Sequence, residues 1–148
     1  MPSTYLSLHY HLVFSTKHRA ATIDKPWRLR LHEYLGGTIH GLGGVPEAVG
    51  GVADHVHLLV GLKATHCLAD VLRELKKASS AWVHQEIGLA EFAWQEGYAA
   101  FTVSPPSRPA IRDYIARQEE HHRTKSFRDE LIAMLNQAGV EYDPRYLD

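Results

Sequence analysis

The chain of 148 residues contains a single cysteine, Cys67, so it can form neither an internal disulfide nor a cysteine-based zinc site, and it suits a reducing cytoplasm. Nowhere does it hold the run of about 18 apolar residues that a membrane span requires. Its start, Met1-Pro-Ser-Thr-Tyr5, lacks the basic and apolar segments of an export signal, so export is not expected. Neither sign of charge dominates: 16 Lys+Arg stand against 17 Asp+Glu, and any nucleic-acid partner must meet a local patch rather than a global basic field. No Gly-x-x-x-x-Gly-Lys-Ser/Thr loop is present, which argues against chemistry driven by nucleotide hydrolysis. The length excludes the eight-stranded barrel of many metal-dependent hydrolases, which needs roughly 200 residues or more. No repeat, low-complexity tract or long linker divides the chain, so residues 1–148 read as one domain.

What is present is an alternation of strand-type and helix-type segments. Residues 5–16 are aromatic and β-branched and read as a strand, closed by the basic turn Lys17-His18-Arg19. From Asp24, a plausible cap, Trp27, Leu31, Tyr34 and Leu35 recur at helical spacing until the glycines at 41, 43 and 44. Val45 to Ala53 and the His55-Val-His-Leu-Leu-Val60 run read as a hairpin. Leu68 to Ile87 is an amphipathic helix with Leu68, Val71, Leu72, Leu75, Ala78 and Trp82 buried and Arg73, Lys76 and Lys77 outside, stopped by Gly88. A strand at 98–104, the breaker Ser104-Pro-Pro-Ser-Arg-Pro109, a helix around Tyr114 and a last helix at about 126–137 complete the order. Strand, helix, strand, strand, helix, strand predicts an α+β fold of the ferredoxin-like or RRM-like split βαβ type. Its antiparallel sheet of four to five strands has helices on one face and leaves the other open, with a tyrosine-bearing helix added at the C-terminal side.

Two motifs carry chemistry. In Asp54-His-Val-His57, residues two apart on a strand share a face, so His55 and His57 point together while Val56 and Leu58 point into a core. Two neutral imidazoles on one face form half of a transition-metal site with positions open for substrate. A second His-x-His, His9-Tyr10-His11, lies within an aromatic strand and reads as the polar side of a half-exposed element. The other motif is Tyr114 with Gln118 four residues later, one turn apart on a helix, offering a nucleophile and an oxygen ligand at one place. His121 and His122 read as a solvated helix end, with substrate contact as their only further role.

Tyr10-His-Leu-Val-Phe-Ser-Thr-Lys-His-Arg19, Asp54-His-Val-His-Leu-Leu-Val60, Leu72-Arg-Glu-Leu-Lys-Lys-Ala-Ser-Ser80, Trp94-Gln-Glu-Gly-Tyr-Ala-Ala-Phe-Thr-Val-Ser104 and Tyr114-Ile-Ala-Arg-Gln-Glu-Glu-His-His122 resemble, in order, the landmarks of the single-tyrosine transposases of the HUH endonuclease superfamily. The resemblance spans roughly residues 5 to 125. It implies an enzyme that cuts and rejoins single-stranded DNA at hairpin-bearing element ends. It further implies that His55, His57 and Gln118 hold a metal, that Tyr114 is the nucleophile, and that the protein works as a homodimer in which the tyrosine helix of one subunit serves the other.

A tyrosine with a pKa near 10 needs help to attack a phosphodiester at neutral pH, and a divalent ion supplies it. Two imidazoles suit manganese better than magnesium, and both are expected to support activity. Lys17, Arg19, Arg73, Lys76 and Lys77 are the candidate DNA contacts. Two other readings stay open at this stage: a domesticated hairpin-binding module that no longer cuts, and a metal-dependent phosphohydrolase in which Tyr114 is structural.

Overall fold

The computed structural model describes residues 3–147; Met1, Pro2 and Asp148, which the expected 1–148 domain includes, lie outside the described residues. In chain order the elements are β1 (His9–Ser15), α1 (Lys25–Gly41), β2 (Val45–Gly51), β3 (His55–Gly61), α2 (Leu68–Trp82), β4 (Ala99–Thr102), α3 (Arg108–Ala116), α4 (Gln118–His121) and α5 (Phe127–Ala138). The strands form one sheet in the order β2-β3-β1-β4, and every neighbouring pair is antiparallel. This is the expected split βαβ sheet, with four strands.

Alternation along the two central strands decides what each layer holds. Leu12 and Phe14 of β1 and Val56, Leu58 and Val60 of β3 join Leu31, Leu35 and Ile39 of α1 and Val71, Leu72 and Leu75 of α2 in the main core. The residues between them, His11, Val13, His55, His57 and Leu59, face the other way. Their face is not open, which corrects the sequence expectation. Leu59 packs with Ile111 and Ile115 of α3, and α5 lays the Phe127 ring on His55 with centroids 4.3 Å apart. The reason is apolar: the odd-numbered strand positions and the inner sides of α3 and α5 each need cover, and each provides it for the other.

The helix stops follow local chemistry. α2 runs on through a π-helical turn, Val83–Ile87, to Gly88 at φ 82°, a left-handed terminator open to glycine. α5 begins where the Ser126 hydroxyl accepts the Asp129 amide at 3.1 Å. The tyrosine segment departs from expectation. The helix ends at Ala116, Arg117 leaves helical geometry at φ −103° and ψ 23°, and Gln118 opens a fresh short turn. Just past the break the Gln118 side chain is tied to His55 and His122. Among the described residues no helix is long and apolar enough to cross a membrane.

Candidate functional site

The site is built on the second face of β3. His55 and His57 are fully buried there, and each has its Nδ1 anchored. His55 Nδ1 donates to Asp54 Oδ1 at 2.7 Å, and His57 Nδ1 lies 2.8 Å from Nε2 of His11. A third imidazole, His122, places its Nδ1 2.6 Å from the Lys125 carbonyl oxygen, an obligate acceptor, and so must donate to it. A proton on Nδ1 leaves a lone pair on Nε2 of His55 and His122 in their neutral forms, while the His11–His57 bond holds one proton between its two rings. The three Nε2 atoms converge.

Two side-chain oxygens meet them. Gln118 Oε1 stands 3.1 Å from His55 Nε2 and 3.0 Å from His122 Nε2. Glu130 of α5 brings Oε1 to 3.0 Å from His57 Nε2, 3.2 Å from His122 Nε2 and 3.3 Å from His55 Nε2. Its second oxygen, Oε2, accepts from the Tyr114 hydroxyl and from Gln118 Nε2 at 3.2 Å. Tyr114 also lies 3.3 Å from His121 Nε2, and its ring sits edge-on to His57 with centroids 5.8 Å apart. The nucleophile candidate and the histidines therefore meet within one chain.

The electrostatics of this cluster follow from burial and charge. Burial pulls His55 down, but hydrogen bonds to Asp54 and Glu130, and their charges, outweigh it and lift His55 to about 9. Burial and then the neighbouring His57 drop His11 to about 3, and burial likewise lowers His57. Glu130 feels burial upward, yet its bonds to His122, His55 and His57 hold it ionised well below the usual carboxylate range. Burial first and Glu130 second push the Tyr114 phenol above its ordinary value. Without a cation, then, the cluster carries one proton on His55 to balance a buried carboxylate.

That donor set fits a metal ion. The Nε2 atoms of three imidazoles meet an amide oxygen and a carboxylate oxygen at one point, where a metal ion can take the place of the proton that otherwise joins them. These atoms stand 3.0 to 3.3 Å apart, close enough for one ion to be held by several of them. His55, His57, His122 and Glu130 form the one metal-type cluster among the described residues. The structure thus brings together Tyr114, His55, His57 and Gln118, as the sequence suggests, and adds three groups that the sequence reading did not place at the metal site. His11 is no polar rim residue: it is only 4% exposed and sits beneath His57. His122 is not a solvated helix end, being inside the cluster. Glu130 carried a sequence signal, a charged residue on the apolar side of α5 beside Phe127 and Leu131.

The basic candidates separate. Lys17 and Arg19 follow the end of β1 that pairs Ser15 with His55, close to the cluster. There a cavity of about 480 Å³ is lined by Arg19, Lys25, Arg28, Arg123 and Lys125 and reaches Asp54 and His122. On the other flank a cavity of about 600 Å³ runs between His11, Phe101, Tyr114 and Glu130. Arg73 and Lys77 are exposed on α2, across the sheet from the cluster. Lys76 corrects the expectation of an outward side chain. Its ammonium turns inward to the carbonyls of Gln95, at 2.8 Å, and Gly97, over the Phe14 ring.

Comparison with known proteins places these features in a family. The IS200-like transposase family model matches residues 4–118. No curated protein matches the chain. A crystal structure of a candidate transposase from Deinococcus radiodurans R1 is 27% identical with a TM-score of 0.65, covering 80% of this chain and 95% of that one. A REP-associated tyrosine transposase bound to a REP hairpin shares the fold, with a TM-score of 0.60 at 15% identity over 97% of this chain and 88% of that one. Because the family model covers most of the chain, and includes the two strand histidines, Tyr114 and Gln118, the protein belongs to the IS200-like transposases.

Proposed function

We propose that this transposase cleaves and rejoins single-stranded DNA at hairpin-bearing ends, with Tyr114 as nucleophile and His55, His57 and Gln118 as ligands of a divalent ion, magnesium or manganese. The observation that carries the reading is the meeting of the Tyr114 hydroxyl with a carboxylate whose other oxygen faces both strand histidines. The ion, when bound, stabilises negative charge on the phosphate oxygens. The Tyr114 oxygen attacks phosphorus, the bond from phosphorus to the 3′ oxygen breaks, and a 5′-phosphotyrosine forms. The phenol proton ends, in net terms, on the leaving 3′ oxygen. One phosphoester replaces another, so rejoining by the reverse step needs no nucleotide cofactor.

Hairpin DNA as substrate is supported by the hairpin-bound structural neighbour, and Lys17 and Arg19 are proposed as its contacts beside the basic cavity. Arg73 and Lys77 would meet a part of the hairpin that reaches round the sheet, and Lys76 acts only by holding the loop at Gln95 and Gly97. We take residues 1–148 as one functional unit acting in the cytoplasm. A homodimer remains part of the proposal, although the tyrosine needs no partner to reach the histidines.

The test uses manganese and an end-labelled single-stranded hairpin oligonucleotide on a denaturing gel. A covalent adduct that disappears in Tyr114→Phe is expected. Cutting without an adduct would replace the reading with a phosphohydrolase, and hairpin binding without cutting would replace it with a binding module.

A further inference from the structure

Glu130 is a carboxylate only 1% exposed, and it comes from a helix that begins beyond the last residue matched by the family model. Burying an ionised carboxylate is unfavourable unless positive charge and hydrogen bonds compensate. Its surroundings divide cleanly between its two oxygens. Oε1 faces only the Nε2 atoms of His55, His57 and His122, all within 3.3 Å. Oε2 faces the Tyr114 hydroxyl, Gln118 Nε2 and His121 Nε2. The first set are imidazole nitrogens that can hold either a proton or a metal ion against Oε1; the second set is the proposed nucleophile and the groups around it.

We propose that Glu130 and His122 complete the metal seat begun by His55, His57 and Gln118, and that Glu130 is the bridge that positions Tyr114 against it. One carboxylate oxygen acts as a ligand and the other holds the phenol, so that seating the ion and aiming the nucleophile become one event. α5 has a specific task in this scheme. Phe127, stacked on His55, and the Ser126 cap fix the first turn of the helix that carries Glu130. The ligand count also changes in kind. Three imidazoles and a carboxylate favour manganese or another transition ion over magnesium, which prefers oxygen shells.

This inference rests on the metal-dependent transposase reading, and its test separates the two. Manganese(II) alone is titrated into the full chain, and the free ion is followed by its electron paramagnetic resonance signal. The variants are Glu130→Gln, Glu130→Ala and His122→Ala, with circular dichroism and hairpin gel shifts confirming that each is folded. Glu130→Gln keeps the size of the side chain and an oxygen to accept from Tyr114 while removing the charge. Both Glu130 variants are expected to weaken manganese binding by about tenfold or more, and His122→Ala by a similar factor. Glu130→Ala should also slow adduct formation at saturating manganese, because Tyr114 loses its acceptor. Manganese affinity unchanged in folded Glu130→Gln and Glu130→Ala overturns the inference while leaving the transposase reading intact. A wild-type chain that binds no manganese and forms no adduct overturns the transposase reading and this inference with it.

Discussion

Gly50 lies directly beneath Ile115: a Cβ on Gly50 would stand 2.3 Å from the Ile115 carbonyl oxygen. In the sheet Gly50 is the cross-strand partner of His57, so the residue beside a proposed metal ligand is also the one that lets the tyrosine helix settle onto β2. The missing side chain therefore sets the height of Tyr114 above the histidines. Gly50→Ala should lift α3 and cost roughly 1–3 kcal/mol from overpacking, or on the order of 4 °C in melting temperature per kcal/mol. The functional loss should be larger. At a temperature where the variant is fully folded, adduct formation should slow by about 10²-fold, since a displacement near 1 Å of a reacting group has that effect. Wild-type adduct rates in folded Gly50→Ala would show that the close contact does not position the nucleophile.

A second prediction concerns the residue that orients His55. Asp54 Oδ1 accepts the Nδ1 proton and so fixes the tautomer that aims Nε2 inward. Asp54→Asn keeps the shape but can present an amide N–H to Nδ1, favouring the tautomer with the proton on Nε2. Manganese affinity should fall by about 10–100-fold with the fold unchanged, as measured by titration beside a circular dichroism spectrum. An unchanged affinity would mean that the Asp54 bond does not set the tautomer of His55.

How far the sequence carries toward this site depends on distance along the chain. The alternation that puts His55 and His57 on one face is a property of seven consecutive residues and is legible without a structure. So is the apolar stripe of α2. The role of His11 is not, because it depends on β1 lying beside β3 in a register that sets Val13 against His57, a pairing across more than forty residues. Glu130 is hidden for a related reason. Its place on the apolar side of α5 marks it as unusual, but only the packing of Phe127 on His55 says which buried partners it meets. The break at Arg117 leaves no mark at all, since neither glycine nor proline interrupts residues 110–122, and Gln118, the first residue beyond it, is tied to a strand in another layer.

The distribution of basic residues predicts an uneven salt response. Lys17 and Arg19 stand at the cluster end of β1, whereas Arg73 and Lys77 lie across the sheet. If the scissile strand follows the cavity lined by Arg19 and Lys125, Lys17→Ala with Lys125→Ala should weaken hairpin binding and reduce the slope of log affinity against log salt by roughly 1 to 2. Arg73→Ala with Lys77→Ala should change the slope by less for a minimal oligonucleotide and by a comparable amount only for one with a long stem. Fluorescence anisotropy across a salt series distinguishes these cases. Equal slopes in all variants would remove the cavity as the strand's path.

The buried His11 and His55 and the partly buried His32 predict a stability maximum near pH 6.5 in the metal-free protein. His11 and His32 titrate in the fold at about 3 and about 4, both lowered chiefly by burial, against about 6.5 when unfolded. Between those values the unfolded chain binds more protons, so stability rises with pH and is lost as pH falls from about 6.5. His55 has the opposite sign. Raised to about 9, it contributes stability that is complete below about 6.5 and lost as pH climbs through 9. Melting temperatures in EDTA from pH 4.5 to 9.5 should therefore fall on both sides, and a flat or rising alkaline limb would contradict a protonated His55. Saturating manganese makes the alkaline limb diagnostic. An ion seated among the Nε2 atoms takes over from the His55 proton as the charge facing Glu130, and binding it below about pH 9 must release that proton. With manganese present the fall above pH 6.5 should disappear, and its persistence would mean that the ion and the proton do not compete for the same place.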